Sequence, residues 1–365
     1  MAARKETTDA RSPGSRMAAS GVTATPSSDA VGAYTIATLG SHSALQILRG
    51  ARAEGFRTLA ICTEHAASLY HRYPFVDDVL VLPSYQSLVE RQDALRAANA
   101  ILVPHGSFVA HLGVERNKQL RTPYFGNKQV LDWETDRDAQ RRWLERAGLR
   151  MPREIRSAQE IDCPVIVKLH GARGGSGYFF ARDAADFTAR TAGMADGSYT
   201  VQEALIGAPV YLHYFYSLLQ ERLEFLGADI RYETNVDSLG RVPSENQVGL
   251  PIDPSFVVVG NMPLVVRESM LQNVYHLGES VVAISRLICP PRGLFGAFCL
   301  EGIITPDEQF SVFEISARIV AGTNVALPSS PYADLYFGEP MSTGRRIARE
   351  LRRAIEAGRL AELVE

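Results

Sequence analysis

The amino-acid sequence predicts a protein of mixed α/β and α+β class, and three observations carry that reading. Short apolar strands alternate with amphipathic helices between residues 31 and 125, the arrangement that builds a parallel, doubly wound sheet. Beyond residue 150 the chain becomes strand-rich, and AFCLEGIITP and QFSVFEISAR suit an antiparallel pair. Between these regions, residues 165–179 read VIVKLHGARGGSGYF: a β-run ending in Lys168, a loop with four glycines in seven positions, and a returning strand.

Taken in order, residues 1–30 are rich in Ala, Ser, Thr and Arg, lack aromatic residues and read as a disordered tail. Glu6, Asp9 and Asp29 interrupt the basic character of a transit segment, and Met17 offers a second start. From Tyr34, YTIATLG is a β-branched strand, and SALQILRGARAEGF is a helix with apolar Leu45, Leu48, Ala51 and Phe56. TLAICT, DDVLVLP and AILVPHG supply three more strands, with a helical stretch around 86–98. A helix over 134–147 follows, closed by Gly148. Residues 150–203 form an α+β unit from CPVIVKLH, YFFARD, a helix near 184–194 and SYTVQEAL. APVYLHYFYSLL, RLEFLGADIRYE and FVVVGN then precede a long helix from 267 to 287 and the strand pair, which turns at Thr305–Gln309. A last helix, 343–358, is read as carrying its basic residues on an exposed face. The chain thus divides into the tail and units at 31–125, 126–203 and 204–365.

Hydrophobic residues make up 46% and charged residues 22%, as in an ordinary soluble enzyme. A net charge of −3 argues for no nucleic-acid or anionic-membrane partner. No apolar run approaches the ~18–20 residues of a bilayer span. Cys62, Cys163, Cys289 and Cys299 show no CxxC spacing and read as free thiols of a reducing cytoplasm. The eight histidines include no HxxxH pair, so no structural zinc site is expected.

Four groups of residues carry chemistry. The glycine loop either closes its N–H groups over a polyphosphate, with Lys168 supplying charge, or is a bare surface hairpin. It is not a P-loop, because no Gly-Lys-Ser/Thr follows. The turn LGSHSAL places Ser41, His42 and Ser43 at a helix N-terminus, which favours an anion, although capping alone also explains the serines. PHGS puts His105 and Ser107 at a strand's C-terminal edge, where open α/β sheets bind ligands. Glu301 and Glu314 lie inside apolar strands; facing inward they would need a cation or arginine, and facing outward they would be ordinary edge residues. Oxygen-only ligands suit Mg²⁺ on nucleotide phosphates, and Arg318 lies four residues on. Gln202–Glu203 form a polar break at a strand end that offers itself to adenine and ribose, or simply to solvent.

A strand-end lysine, a glycine hairpin, the QEAL linker and two sheet-borne carboxylates, in that order, resemble the ATP-grasp fold. That resemblance implies a Rossmann-like pre-ATP-grasp domain followed by a two-subdomain ATP-grasp fold, entered through the helix of GNKQVLDWETDRDAQRRWLERAGLRMP. IATLGSHSALQILRGARAEGF, VPHGSF, FGNK, KLHGARGGSGYF, HYFYS, RYETN, GN-x-P-x-V-x-RES, PP-x-G-x-x-G-x-FCL, FEISAR and GTN narrow it further. Over residues 34–360 they resemble the archaeal-type formate-dependent 5-formaminoimidazole-4-carboxamide ribonucleotide (FAICAR) synthetases.

The resemblance implies ATP- and formate-dependent formylation of 5-aminoimidazole-4-carboxamide ribonucleotide (AICAR) through formyl phosphate, in purine biosynthesis. It places His42, Ser107 and Asn261 on the substrate nucleotide and Glu233 on ATP. It gives Lys168 and His42 catalytic roles, with His42 either a base or a neutral hydrogen-bonding group on the ribonucleotide phosphate. Lys168, Gly171, Gly174, Gly175 and Gly177 would grip the ATP phosphates, and Gln202, Glu203 and the residues to Ile206 would line the adenine. Glu301 and Glu314 match Mg²⁺ or Mn²⁺ ligands, with Ser316 standing where the more usual metal motif has Asn. A cytoplasmic homo-oligomer is expected, with strand edges and the apolar GLFGAFCL run as its contacts. Another ATP-grasp carboxylate–amine ligase shares the ATP features, and a non-catalytic nucleotide binder shares the scaffold; intact Lys168, Glu301 and Glu314 count against the latter.

Overall fold

In the computed structural model the described residues are 29–169, 177–195, 197–247, 255, 257–320 and 330–365. Residues 1–28 of the expected tail, Gly171, Gly174 and Gly175 of the glycine loop, and the GTN motif lie outside them, while the last two tail residues open a short helix, Asp29–Gly32. Strands β1 (Thr35–Leu39), β2 (Arg57–Thr63), β3 (Asp78–Leu82) and β4 (Ala100–Leu102) form a parallel sheet in the order β3-β2-β1-β4. Every residue of β1 is buried, as a strand covered on both faces requires, and the hydroxyls of Thr35 and Thr38 are satisfied by donating to the Ala98 and Val103 carbonyls at 2.7 Å each.

Strands β5 (Glu154–Ile155), β6 (Val165–Leu169), β7 (Tyr178–Ala181) and β8 (Tyr199–Glu203) make a small antiparallel sheet. Its separate core comes from Ile155, Val165, Val167, Phe179, Phe187 and Val201. The third sheet joins β9 (Ala208–Ser217), β10 (Arg222–Glu233), β11 (Val258–Leu264), β12 (Gly296–Ile304) and β13 (Phe310–Ser316) in the antiparallel order β11-β10-β9-β12-β13. Strand alternation divides β9 between two faces. Leu212 and Tyr214 point into the core beneath the long helix Glu268–Ile288, whose Val274 carbonyl accepts from the Tyr214 hydroxyl. Tyr211 and His213 point the other way.

The helix expected over 134–147 is two helices, Val130–Thr135 and Arg137–Arg146. Asp136 divides them because its carboxylate caps the second, accepting from the Ala139 N–H at 2.7 Å. Trp143 is fully buried and donates to the Val281 carbonyl at 3.1 Å, so this segment joins the core of the five-stranded sheet.

Two expectations are corrected. The helix Thr343–Glu356 does not turn most of its arginines to solvent: Arg346 is wholly buried between Glu224 and Glu350, and Arg345 and Arg349 converge on buried Glu54, while Arg352 is half-exposed. Arginines normally signal a wetted face, but here carboxylates from other elements neutralise them inside the fold. The GLFGAFCL run is likewise interior, with Leu294, Phe295, Phe298 and Leu300 in the main core rather than on a contact surface.

The last helix crosses the helix Ala44–Ala53 at glycines. A Cβ on Gly50 would lie 2.3 Å from Arg345 N, and one on Gly344 would lie 2.5 Å from Gln46 O. Glu365 and Tyr124 then exchange backbone hydrogen bonds at 3.0 Å each. The parallel domain is thereby joined to the five-stranded unit along its flank. Among the described residues no helix is long and apolar enough to cross a membrane.

Candidate active site

The chain leaving β13 runs past the C-terminal edge of the parallel sheet. Ile319 bridges His105, and the Ser43 hydroxyl donates to the Val320 carbonyl at 2.6 Å. This brings His42 and Ser107 to the polar face of the five-stranded sheet. His42 adopts φ 56 in its turn, and its ring stacks on His105 at 5.3 Å and 7°. Gly106 makes room for that ring, since a Cβ there would lie 2.7 Å from His42 Nε2. His42 is open to solvent within the cleft, yet the protein gathered around it, with His105, Arg318 and Arg231, pushes its imidazole down to about 3. A neutral ring that gives or takes a hydrogen bond fits these surroundings better than a base.

His105 is fully buried, and burial lowers its imidazole to about 4. Its Nε2 donates to the Leu39 carbonyl at 2.8 Å, and its Nδ1 accepts from the Ser107 N–H at 3.2 Å. The Ser107 hydroxyl has no hydrogen-bond partner among the described residues.

On the sheet, Glu301 and Glu314 are direct partners across β12 and β13. Glu301 is buried, and Arg231 grips both its oxygens at 3.0 and 3.2 Å while Ser316 donates to Oε1 at 3.1 Å. The Arg231 guanidinium lies 3.7 Å over the Tyr211 ring. Glu314 reaches solvent at the cleft floor, but the surrounding protein and the Glu301 charge push its carboxyl up to about 7. Lys168 comes from the small sheet; burial lowers its ammonium to about 8 although Glu314 opposes that shift. Among the described residues no three His, Cys, Asp or Glu side chains gather to hold a metal alone. Two adjacent carboxylates on one face of the sheet do fit Mg²⁺ when nucleotide oxygens complete its shell.

Asn261, on β11 opposite Arg231, donates to Asp229 Oδ1 at 3.1 Å. Glu233, at the end of β10, is pushed up to about 7 by burial and by Asp237. Gln202 and Glu203 lie within β8, and Glu203 Oε1 accepts from the Arg153 N–H at 3.0 Å, so that carboxylate is held locally. Ile206 just beyond is 83% exposed. Gly177, at φ 79, accepts from the Leu169 N–H at 2.9 Å. Sequence reasoning gave no role to Arg231, Tyr211, His213 or Asp229. Period-two alternation along β9 and β10 was the available signal, because it puts all four on the face of Glu301.

A parallel α/β domain, a small antiparallel unit carrying Lys168 and a larger sheet bearing paired carboxylates define a ligase of the ATP-grasp class. One family model, described as "Protein of unknown function (DUF1246)", matches residues 36–155, and another, "Domain of unknown function (DUF1297)", matches 194–365. A Pyrococcus abyssi protein named 5-formaminoimidazole-4-carboxamide-1-(beta)-D-ribofuranosyl 5'-monophosphate synthetase is 51% identical over 336 residues, 90% of this chain and 98% of that protein. The crystal structure of an IMP biosynthesis protein PurP from Thermococcus kodakaraensis, 34% identical, matches with a TM-score of 0.74 over 90% of this chain and 100% of that one. At 13% identity, an ADP complex of N5-carboxyaminoimidazole ribonucleotide synthetase shares the fold, with a TM-score of 0.63 over 88% of this chain and 77% of that one. The chain belongs to the family of 5-formaminoimidazole-4-carboxamide ribonucleotide synthetases.

Proposed function

We propose that this chain formylates the 5-amino group of AICAR with formate and ATP, giving FAICAR, ADP and phosphate. The observation that carries the reading is the 51% identity to a synthetase of that name over 98% of its length. Formate is a poor electrophile, so its oxygen first attacks the γ-phosphate of ATP to give formyl phosphate, and the amine then displaces phosphate from the formyl carbon.

Lys168 and the amides of Gly171, Gly174, Gly175 and Gly177 serve the ATP phosphates, offsetting negative charge as the phosphoryl group moves. The apolar Ile206, beyond Gln202 and Glu203, offers a face to adenine, and Glu233 lies on the ATP side. Glu301 and Glu314 would hold Mg²⁺ or Mn²⁺, which when bound neutralises phosphate charge. His42 and Ser107 hold the ribonucleotide, while Asn261 orients the end that reacts; because the amine is conjugated with the imidazole ring, positioning supplies much of the rate. We also read the protein as a cytoplasmic homo-oligomer, supported by exposed Val259, Met262 and Val265 along and beside edge strand β11; light scattering after gel filtration tests the assembly.

One assay tests the reaction: ADP release with formate alone, AICAR alone and both. Full turnover requires both, and Glu301→Gln abolishes it while the fold survives. Retained turnover in that variant overturns the assignment of Glu301.

A further inference from the structure

Beside the residues already assigned, the polar face of the five-stranded sheet carries a histidine–aspartate pair. His213 Nε2 meets Asp229 Oδ2 at 2.5 Å, and the other Asp229 oxygen accepts from Asn261 at 3.1 Å. The two side chains retain only 9% and 8% of their exposure. Strand pairing does not call for them: the backbone neighbours of His213 are Gly227 and Cys299, and apolar residues at 213 and 229 would suit so enclosed a place better.

The chain of hydrogen bonds sets two orientations. The Asn261 N–H is committed to Asp229, so its Oδ1 is left to accept from a ligand. The Nε2 proton of His213 is committed to Asp229, so Nδ1 is the free lone pair, and it has no partner among the described residues. We propose that the His213–Asp229 pair takes the proton that the substrate's amino nitrogen loses during formyl transfer, while Asn261 Oδ1 holds that nitrogen's other N–H.

The proposal rests on the formylation reading. In the step, the amine nitrogen forms a bond to the formyl carbon, and the bond from that carbon to the phosphate oxygen breaks. Phosphate leaves with the electron pair, and one N–H proton passes to His213 Nδ1 and then to solvent. Asp229 steadies the imidazolium, the division of labour seen wherever a carboxylate orients a histidine base. Among the described residues, the strand register puts Arg231 on β10, Cys299 and Glu301 on β12, and Tyr211 on its own strand on the same face as His213.

The test separates the two half-reactions. Formyl phosphate formation is followed by formate-dependent scrambling of an oxygen label within ATP, and transfer is followed by FAICAR formation. His213→Gln is expected to slow FAICAR formation by about 10²–10⁴-fold and to keep the scrambling. Added imidazole should restore transfer to His213→Ala, which also answers the case in which Gln disturbs the sheet. Equal loss of both half-reactions, or a His213→Ala variant that imidazole does not rescue, overturns the proposal alone. A parent protein that makes no FAICAR overturns the functional reading and the proposal together.

Discussion

Gly106→Ala isolates one contact of the candidate site. The backbone of Gly106 is not in the left-handed region, so alanine there meets only a question of space. The new methyl would lie 2.7 Å from His42 Nε2, where ordinary contact begins at 3.4 Å, so the ring must retreat by about 0.7 Å. It can do so without disturbing the core, because His42 opens to solvent on its far side. Stability should therefore stay within about 0.5 kcal/mol of the parent. The displaced ring leaves its stack on His105 and its place opposite the substrate. A misplacement approaching 1 Å costs up to about 10²-fold, so kcat/KM for AICAR should fall about 10–100-fold, or about 1.4–2.8 kcal/mol. Steady-state FAICAR formation at varied AICAR measures this, with formate-dependent label scrambling in ATP as the control that should hold. In a His42→Ala background the same change has nothing to displace and should add almost nothing. A full second loss in that background, or an unaltered kcat/KM in the single variant, refutes the reasoning.

Arg346→Met strands Glu224 and Glu350 in the interior and should lower stability by about 3–5 kcal/mol in urea titrations. Arg352→Ala, on a half-exposed residue of the same helix, should cost no more than about 1 kcal/mol; similar losses in the two variants would contradict the buried cluster. Folding also depends on pH through His105, whose folded value near 4 lies below the usual 6.5. Between those values the unfolded chain takes up a proton that the folded one refuses, so this stability is complete above pH 6.5 and is lost as pH falls toward 4. The urea midpoint of the parent should fall more steeply over that window than that of His105→Gln, and parallel slopes would discount the effect.

Much of the architecture was legible because its strands and helices advertise themselves by period. TIATL could belong to a covered parallel strand, and FCLEGII with FSVFEIS could belong to a hairpin, from composition and spacing alone. The site was harder to read. Glu301 was noticed as a charge among apolar residues, but its partner Arg231 lies 70 residues away, and only the sheet order reveals that pairing. Arg346 shows the reverse problem: on a helix otherwise rich in Arg it reads as wetted, and nothing local tells that Glu224 waits inside. Asp136 was missed as a boundary because ETDRD holds no apolar residue whose spacing could mark the break.

The crossing of the first and last long helices also bears on how the chain is made. Glu54 is synthesised 291 residues before Arg345, its buried counterion, and at ~5–20 residues per second that interval lasts roughly 15–60 s. Through that time the parallel sheet stands beside an acidic, glycine-notched groove with no occupant. The parallel domain, though synthesised ahead of the five-stranded unit, is thus completed only with it, once Glu365 is made and exchanges hydrogen bonds with Tyr124.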